Sequence, residues 1–119
     1  MSKSGSAKRS LKPNYKLWFE SEGEYIFGPG ACAILTAVLE EGTLTKGAEK
    51  IGMSYRYAWG AIRKIEHKLG ISLIETFKGG KTGGGGARVT EQGLKLIDAY
   101  TKLHRAFEDV LNKRASLSL

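Results

Sequence analysis

The chain has 119 residues, 41% of them hydrophobic and 26% charged, with a formal net charge of +7 and a sequence pI near 9.6. Such a length and composition suit one folded domain with a modest core and argue against a disordered chain; the positive balance points to a polyanionic partner. The single cysteine, Cys32, permits neither an intrachain disulfide nor a thiolate zinc site, no apolar run approaches the roughly 18 residues that cross a bilayer, and the N-terminus lacks a signal-peptide core, so a cytoplasmic protein with no membrane partner is expected.

Charge is gathered in two places. Residues 1–20 hold five basic groups against one acidic and residues 53–90 seven against two, whereas residues 21–52 hold two against five. Residues 1–14 read as a flexible basic arm, 15–114 as one domain and 115–119 as a tail.

In chain order, KLWFE (Lys16 to Glu20) and YIF (Tyr25 to Phe27) flank the turn-prone Ser21-Glu22-Gly23, which predicts a small β-hairpin. Pro29 and Gly30 open a helix in which Ala31, Ile34, Leu35, Val38 and Leu39 recur at helical spacing, and Gly42 closes it. Thr45 is the expected N-cap of a shorter helix through Lys50, with Leu44, Ala48 and Ile51 inward and Gly52 at a left-handed terminus. Ser54 caps a third helix, in which Ala58, Ile62, Ile65 and Leu69 form the buried stripe and Gly70 ends it. A helix, a turn of about four residues and a helix make a helix-turn-helix. Ile71 to Thr76 alternates apolar and polar residues and reads as a strand, with Ala87 to Val89 starting the return across KGGKTGGGG. This pair forms a wing over 77–89, whose consecutive glycines lose maximal backbone entropy on ordering and so suit a mobile tip.

Thr90 caps a long helix to about Arg114, along which Leu96, Tyr100, Leu103, Phe107 and Val110 repeat at steps of four and three. Such a seam favours a homodimer, the alternative being that the helix packs on its own domain. The fold class is therefore α+β, mainly helical: a winged helix-turn-helix with an N-terminal β-hairpin and a long C-terminal dimerisation helix.

With the stripe of the third helix inward, Tyr55, Arg56, Trp59, Gly60, Arg63 and Lys64 cover its flanks and outer face, and its N-terminus can enter a major groove. Arginine suits bidentate contact with guanine, which makes Arg56 the leading base reader, while Ser54 and Tyr55 can donate to phosphates or bases. Thr45 and Lys46 join them from the preceding helix. Lys64 and Lys68 are expected in solvent or paired with Glu66. Trp59 borders the stripe, so packing and base contact both remain open. A glycine inside a helix costs about 1 kcal/mol relative to alanine; Gly60 is thus expected to accommodate a close backbone, either DNA or the N-terminal hairpin. In the wing, Lys81, Thr82 and Arg88 are candidates for phosphate or minor-groove contact.

These residues and the runs that hold them, GMSYRYAWGAI, GGKTGGGGARVTEQG and LIDAY, resemble the N-terminal DNA-binding domain of ModE-type molybdate-responsive transcription regulators, and GTLTKGAEKIGMSYRYAWGAIRKIEHKLGISLIET also resembles the LysR type of helix-turn-helix. The likeness covers nearly all of residues 16–111. It implies a domain dimerised by flanking helices on a two-fold operator, with Ser54, Tyr55, Arg56 and Trp59 in the recognition helix and Gly79 to Gly86 in the wing. Regulators of this type continue into small β-barrel domains that bind molybdate or tungstate. The sequence stops at Leu119, so no oxyanion ligand is expected in this chain.

The expected function is a sequence-specific transcription regulator that binds double-stranded DNA at a palindrome-like operator; the alternative is a sequence-independent architectural or chromatin protein, and a protein-binding winged domain is a third reading. An enzyme is not expected. Gly80-Lys81-Thr82 mimics a phosphate-binding loop, but position 75 is Glu75 in place of glycine and Thr82 is followed by glycines in place of a helix. His67, His104 and Cys32 form no catalytic set, and no metal site or cofactor is expected.

Overall fold

A computed structural model describes residues 10–79, 85–114 and 116–119. Strands β2 (Phe19–Ser21) and β3 (Glu24–Phe27) form the expected hairpin, closed by a two-residue turn in which both Glu22 (φ 51) and Gly23 (φ 80) are left-handed. That backbone matches the natural twist of paired strands and explains a glycine there. Helices α1 (Pro29–Glu41), α2 (Leu44–Lys50) and α3 (Tyr55–Leu69) follow, then the wing strands β4 (Ile74–Phe77) and β5 (Gly86–Val89) and the long helix α4 (Glu91–Arg114). Strand β1 (Ser10–Leu11), within the basic arm, pairs antiparallel with β6 (Leu117–Ser118), within the tail.

The core lies where α1, α2 and α3 meet the two hairpins: Phe27, Ile34, Leu35, Val38, Ile62, Leu73 and Ile74 are fully buried. Gly42 ends α1 in the left-handed conformation and its carbonyl accepts from Ala87 N–H, which ties the wing to the helix end. Leu39, placed inward by its spacing, is exposed, and Ala37 is buried in its stead. The cause is Gly47 of α2, whose bare Cα lets that helix close on α1: a Cβ there would stand 3.2 Å from Ala37 C and 3.1 Å from Val38 N.

Two boundaries differ from the sequence reading. The N-cap of α2 is Thr43, not Thr45; its hydroxyl accepts from Lys46 N–H at 3.0 Å, while Thr45 lies inside the first turn. The first wing strand starts at Ile74, not Ile71, because Leu73 N–H and Ile74 N–H donate to the Glu66 carboxylate at 2.7 and 3.1 Å instead of pairing across a ladder. Ser54, by contrast, caps α3 as expected, accepting from Tyr57 N–H at 3.0 Å, and Thr90 caps α4 through Gly93 N–H at 3.1 Å.

Helix α4 divides into two parts. Its first half closes the core: Tyr100 is 6% exposed, donates to Leu17 O at 3.1 Å and meets Phe19 and Phe27 edge-on. Its second half projects beyond the core, and there Leu103, Phe107 and Val110 are exposed. Tyr15 lies along this part, its ring stacked on Phe107 at 5.4 Å and its hydroxyl donating to Glu108 at 3.0 Å. Desolvation, then that hydrogen bond to a carboxylate, push the Tyr15 hydroxyl pKa up to about 12. The seam is therefore split: Tyr100, and in part Leu96, serve the chain's own core.

Candidate nucleic-acid interface

The outer surface of α3 is built by its own periodicity. Ala58, Ile62 and Ile65 turn into the core, and this leaves Tyr55, Arg56, Tyr57, Gly60, Arg63 and Lys64 exposed or facing outward. Tyr55 is 50% and Tyr57 61% exposed, an unusual pair of aromatics in solvent at a helix N-terminus. Arg56 makes no ion pair among the described residues, so its guanidinium fork is available to an external acceptor. Thr45 and Lys46 are exposed in the first turn of α2.

The wing flank of α3 is wired internally. The Arg63 guanidinium stacks over Trp59 at 4.0 Å and pairs with Glu66 at 2.7 Å; the second Glu66 oxygen holds the Leu73 and Ile74 amides. Glu66 is 6% exposed, so these bonds compensate a buried charge. Its partner is Arg63; of the two lysines expected in solvent or against Glu66, Lys64 is exposed and Lys68 reaches toward Glu24 at 3.8 Å. Trp59 is partly buried and packed on the core. Arg88 is exposed on the wing and pairs across the ladder with Glu75 at 3.2 Å. Lys81 and Thr82 lie outside the described residues.

The other flank is open. Between α3, β3 and the start of α1 runs a groove of about 440 Å³, lined among others by Tyr25, Arg56, Tyr57, Gly60 and Lys64. A Cβ on Gly60 would meet no heavy atom within 4 Å, so close packing against the hairpin is not the reason for this glycine. Tyr57 was not among the residues singled out from the sequence, and Lys64 was expected in solvent or against Glu66; both line this groove. The available signal was their spacing around Gly60, at positions 57, 60 and 64, which places all three on one helical flank.

A family model for bacterial regulatory helix-turn-helix proteins of the lysR family matches residues 30–94, from the first turn of α1 into α4. The chain belongs to this family. Curated relatives add to the match: the DNA-binding transcriptional dual regulator ModE of Escherichia coli is 37% identical over 95 residues, covering 76% of this chain and 36% of the relative. The molybdenum-pterin-binding protein MopA of Rhodobacter capsulatus is 37% identical over 78 residues, covering 66% and 29%. The chain thus spans about a third of the length of the curated relatives it matches. Among solved structures, the BenM DNA-binding domain in complex with benA site 1 DNA aligns with a TM-score of 0.53 at 24% identity, over 71% of this chain and 88% of that one. That likeness carries the fold.

Proposed function

We propose that this lysR-family chain is a sequence-specific DNA-binding transcription regulator that acts as a homodimer on a palindrome-like operator in the cytoplasm. The observation that carries the reading is an exposed α3 N-terminus with Arg56, which has no ion-pair partner among the described residues, between two solvent-facing tyrosines, on a helix whose other side is locked into the core. Arg56 reads a base edge; Ser54, Tyr55, Thr45 and Lys46 position the backbone; Trp59 and Arg63 hold the wing flank; Arg88 contacts the adjacent groove, and Lys81 and Thr82 of the wing sequence are further candidates for phosphate contact. Support for double-stranded DNA as partner comes from relatives named as transcriptional regulators and from a structural neighbour solved on DNA.

The dimer reading rests on Leu103, Phe107 and Val110, a short apolar row left exposed at steps of four and three on the projecting half of α4. Light scattering tests it: twice the chain mass for the wild type and a shift toward the monomer mass for Phe107→Asp are expected, and a wild-type monomer at micromolar concentration contradicts it.

Selecting bound sites from a random duplex pool at stated salt tests the function. One enriched, two-fold-related sequence with half-sites about 34 Å apart is expected. A pool that stays random supports the architectural alternative.

A further inference from the structure

The groove on the hairpin flank of α3 has properties that packing does not explain. Arg56 and Lys64 line it and no carboxylate does. Neither makes an ion pair among the described residues, although neighbouring Arg63 and Lys68 both have acidic partners. Their positions, eight residues apart on one helix, lie roughly 12 Å apart along its axis. Two free cations so spaced suit an extended anionic strand better than a single small anion. Midway between them is Gly60, where a missing side chain is filled by nothing among the described residues. A helix of 15 residues carries this glycine at a cost in stability, and the space it leaves opens outward.

The far wall of the groove is the hairpin. Tyr25 is half exposed, stacks on Trp18 at 5.7 Å and lies under the Lys16 ammonium at 5.8 Å. Its hydroxyl end lies close over the bare Cα of Gly28, where a Cβ would collide with it. Tyrosine hydroxyls and lysine ammoniums are common donors to phosphate oxygens.

From this we infer that the groove seats one sugar-phosphate strand of the DNA that α3 reads, making the β2–β3 hairpin a second clamp on the side of α3 away from the wing. The inference rests on the DNA-reading role proposed for α3. Gly60 is the point of closest backbone approach; Lys64, Tyr57 and Tyr25 hold phosphates; Arg56 is shared between groove and base edge. The footprint on that strand then extends beyond what α3 and the wing cover.

The test uses the whole chain bound to its selected duplex. For Lys64→Ala, the slope of log affinity against log salt falls in magnitude by about 0.9, the value for one phosphate contact. Replacing the flanking phosphates by neutral methylphosphonates weakens the wild type but adds nothing to the loss in Lys64→Ala. Gly60→Ala gives opposite changes in fold and binding: its thermal midpoint rises, because alanine is the better helix former and its Cβ meets nothing, while DNA affinity drops about tenfold or more. Unchanged salt slope in Lys64→Ala together with unchanged affinity in Gly60→Ala, in a protein that still binds the selected duplex, overturns the groove proposal alone. A wild-type chain that selects no duplex overturns the DNA-reading role beneath it.

Discussion

The two flanks of α3 have the same kinds of residue and use them in opposite ways. On the wing side, Trp59, Arg63 and Glu66 are bound to one another and to the backbone of the Leu73-Ile74 turn, so aromatic, cation and carboxylate are committed to placing β4. On the hairpin side, Tyr57, Arg56 and Lys64 surround an open groove with no carboxylate in its walls. A basic, aromatic helix face is therefore not one thing. Which cations are free for a partner is decided by where the acidic residues sit, and in α3 the single acidic residue, Glu66, lies on the wing flank.

Removing Glu66 breaks the comparison most severely. Glu66→Ala leaves two buried amides and a guanidinium without their acceptor, a loss of roughly 3 kcal/mol in urea unfolding. A change below 1 kcal/mol shows that water replaces the carboxylate and that the wing flank is not wired as described. Arg56→Ala acts on the other flank and should leave unfolding unchanged, while affinity for the selected site falls by about 1–3 kcal/mol in gel-shift titration. A parallel loss of stability assigns Arg56 to the fold instead. Arg63→Ala costs about 1–2 kcal/mol by unfolding, since half of the Arg63 side chain is in water but the Glu66 carboxylate that it pairs with is buried and keeps only its two amide donors. The caps give smaller and sharper differences: Thr43→Ala and Ser54→Ala each cost about 1 kcal/mol, whereas Thr45→Ala, past the cap, leaves the unfolding midpoint within error. Equal losses at Thr43 and Thr45 contradict the helix start at Leu44.

The periodic parts of the fold were legible in the sequence. Ala58, Ile62 and Ile65 announced the buried stripe of α3, and Gly42, Gly52 and Gly70 all take the left-handed conformation expected of helix ends. Errors arose where two residues competed for one role. Thr43 and Thr45 are equally good caps in isolation, and tertiary placement of Leu44 in the core decides for Thr43. Lys64 and Lys68 stand two residues either side of Glu66 and so face away from it on the helix, whereas Arg63, three residues before it, shares its face and stacks on Trp59 as well. The seam of α4 illustrates a third limit, for spacing shows which residues share a face but not what covers it. Tyr100 is taken by the chain's own hairpin and Phe107 is left exposed beside Tyr15. The groove was invisible for the same reason, since its far wall comes from Tyr25, about thirty residues away in sequence.

The most direct measurement is a competition titration of the wild type and Arg56→Ala between the selected duplex and a scrambled one of equal length, at one fixed salt concentration. The wild type is expected to prefer its site by about a thousandfold or more, with most of that ratio lost in Arg56→Ala while binding to scrambled DNA weakens much less. A wild-type ratio near one, or a variant that keeps the full preference, contradicts the assignment of sequence reading to the exposed face of α3.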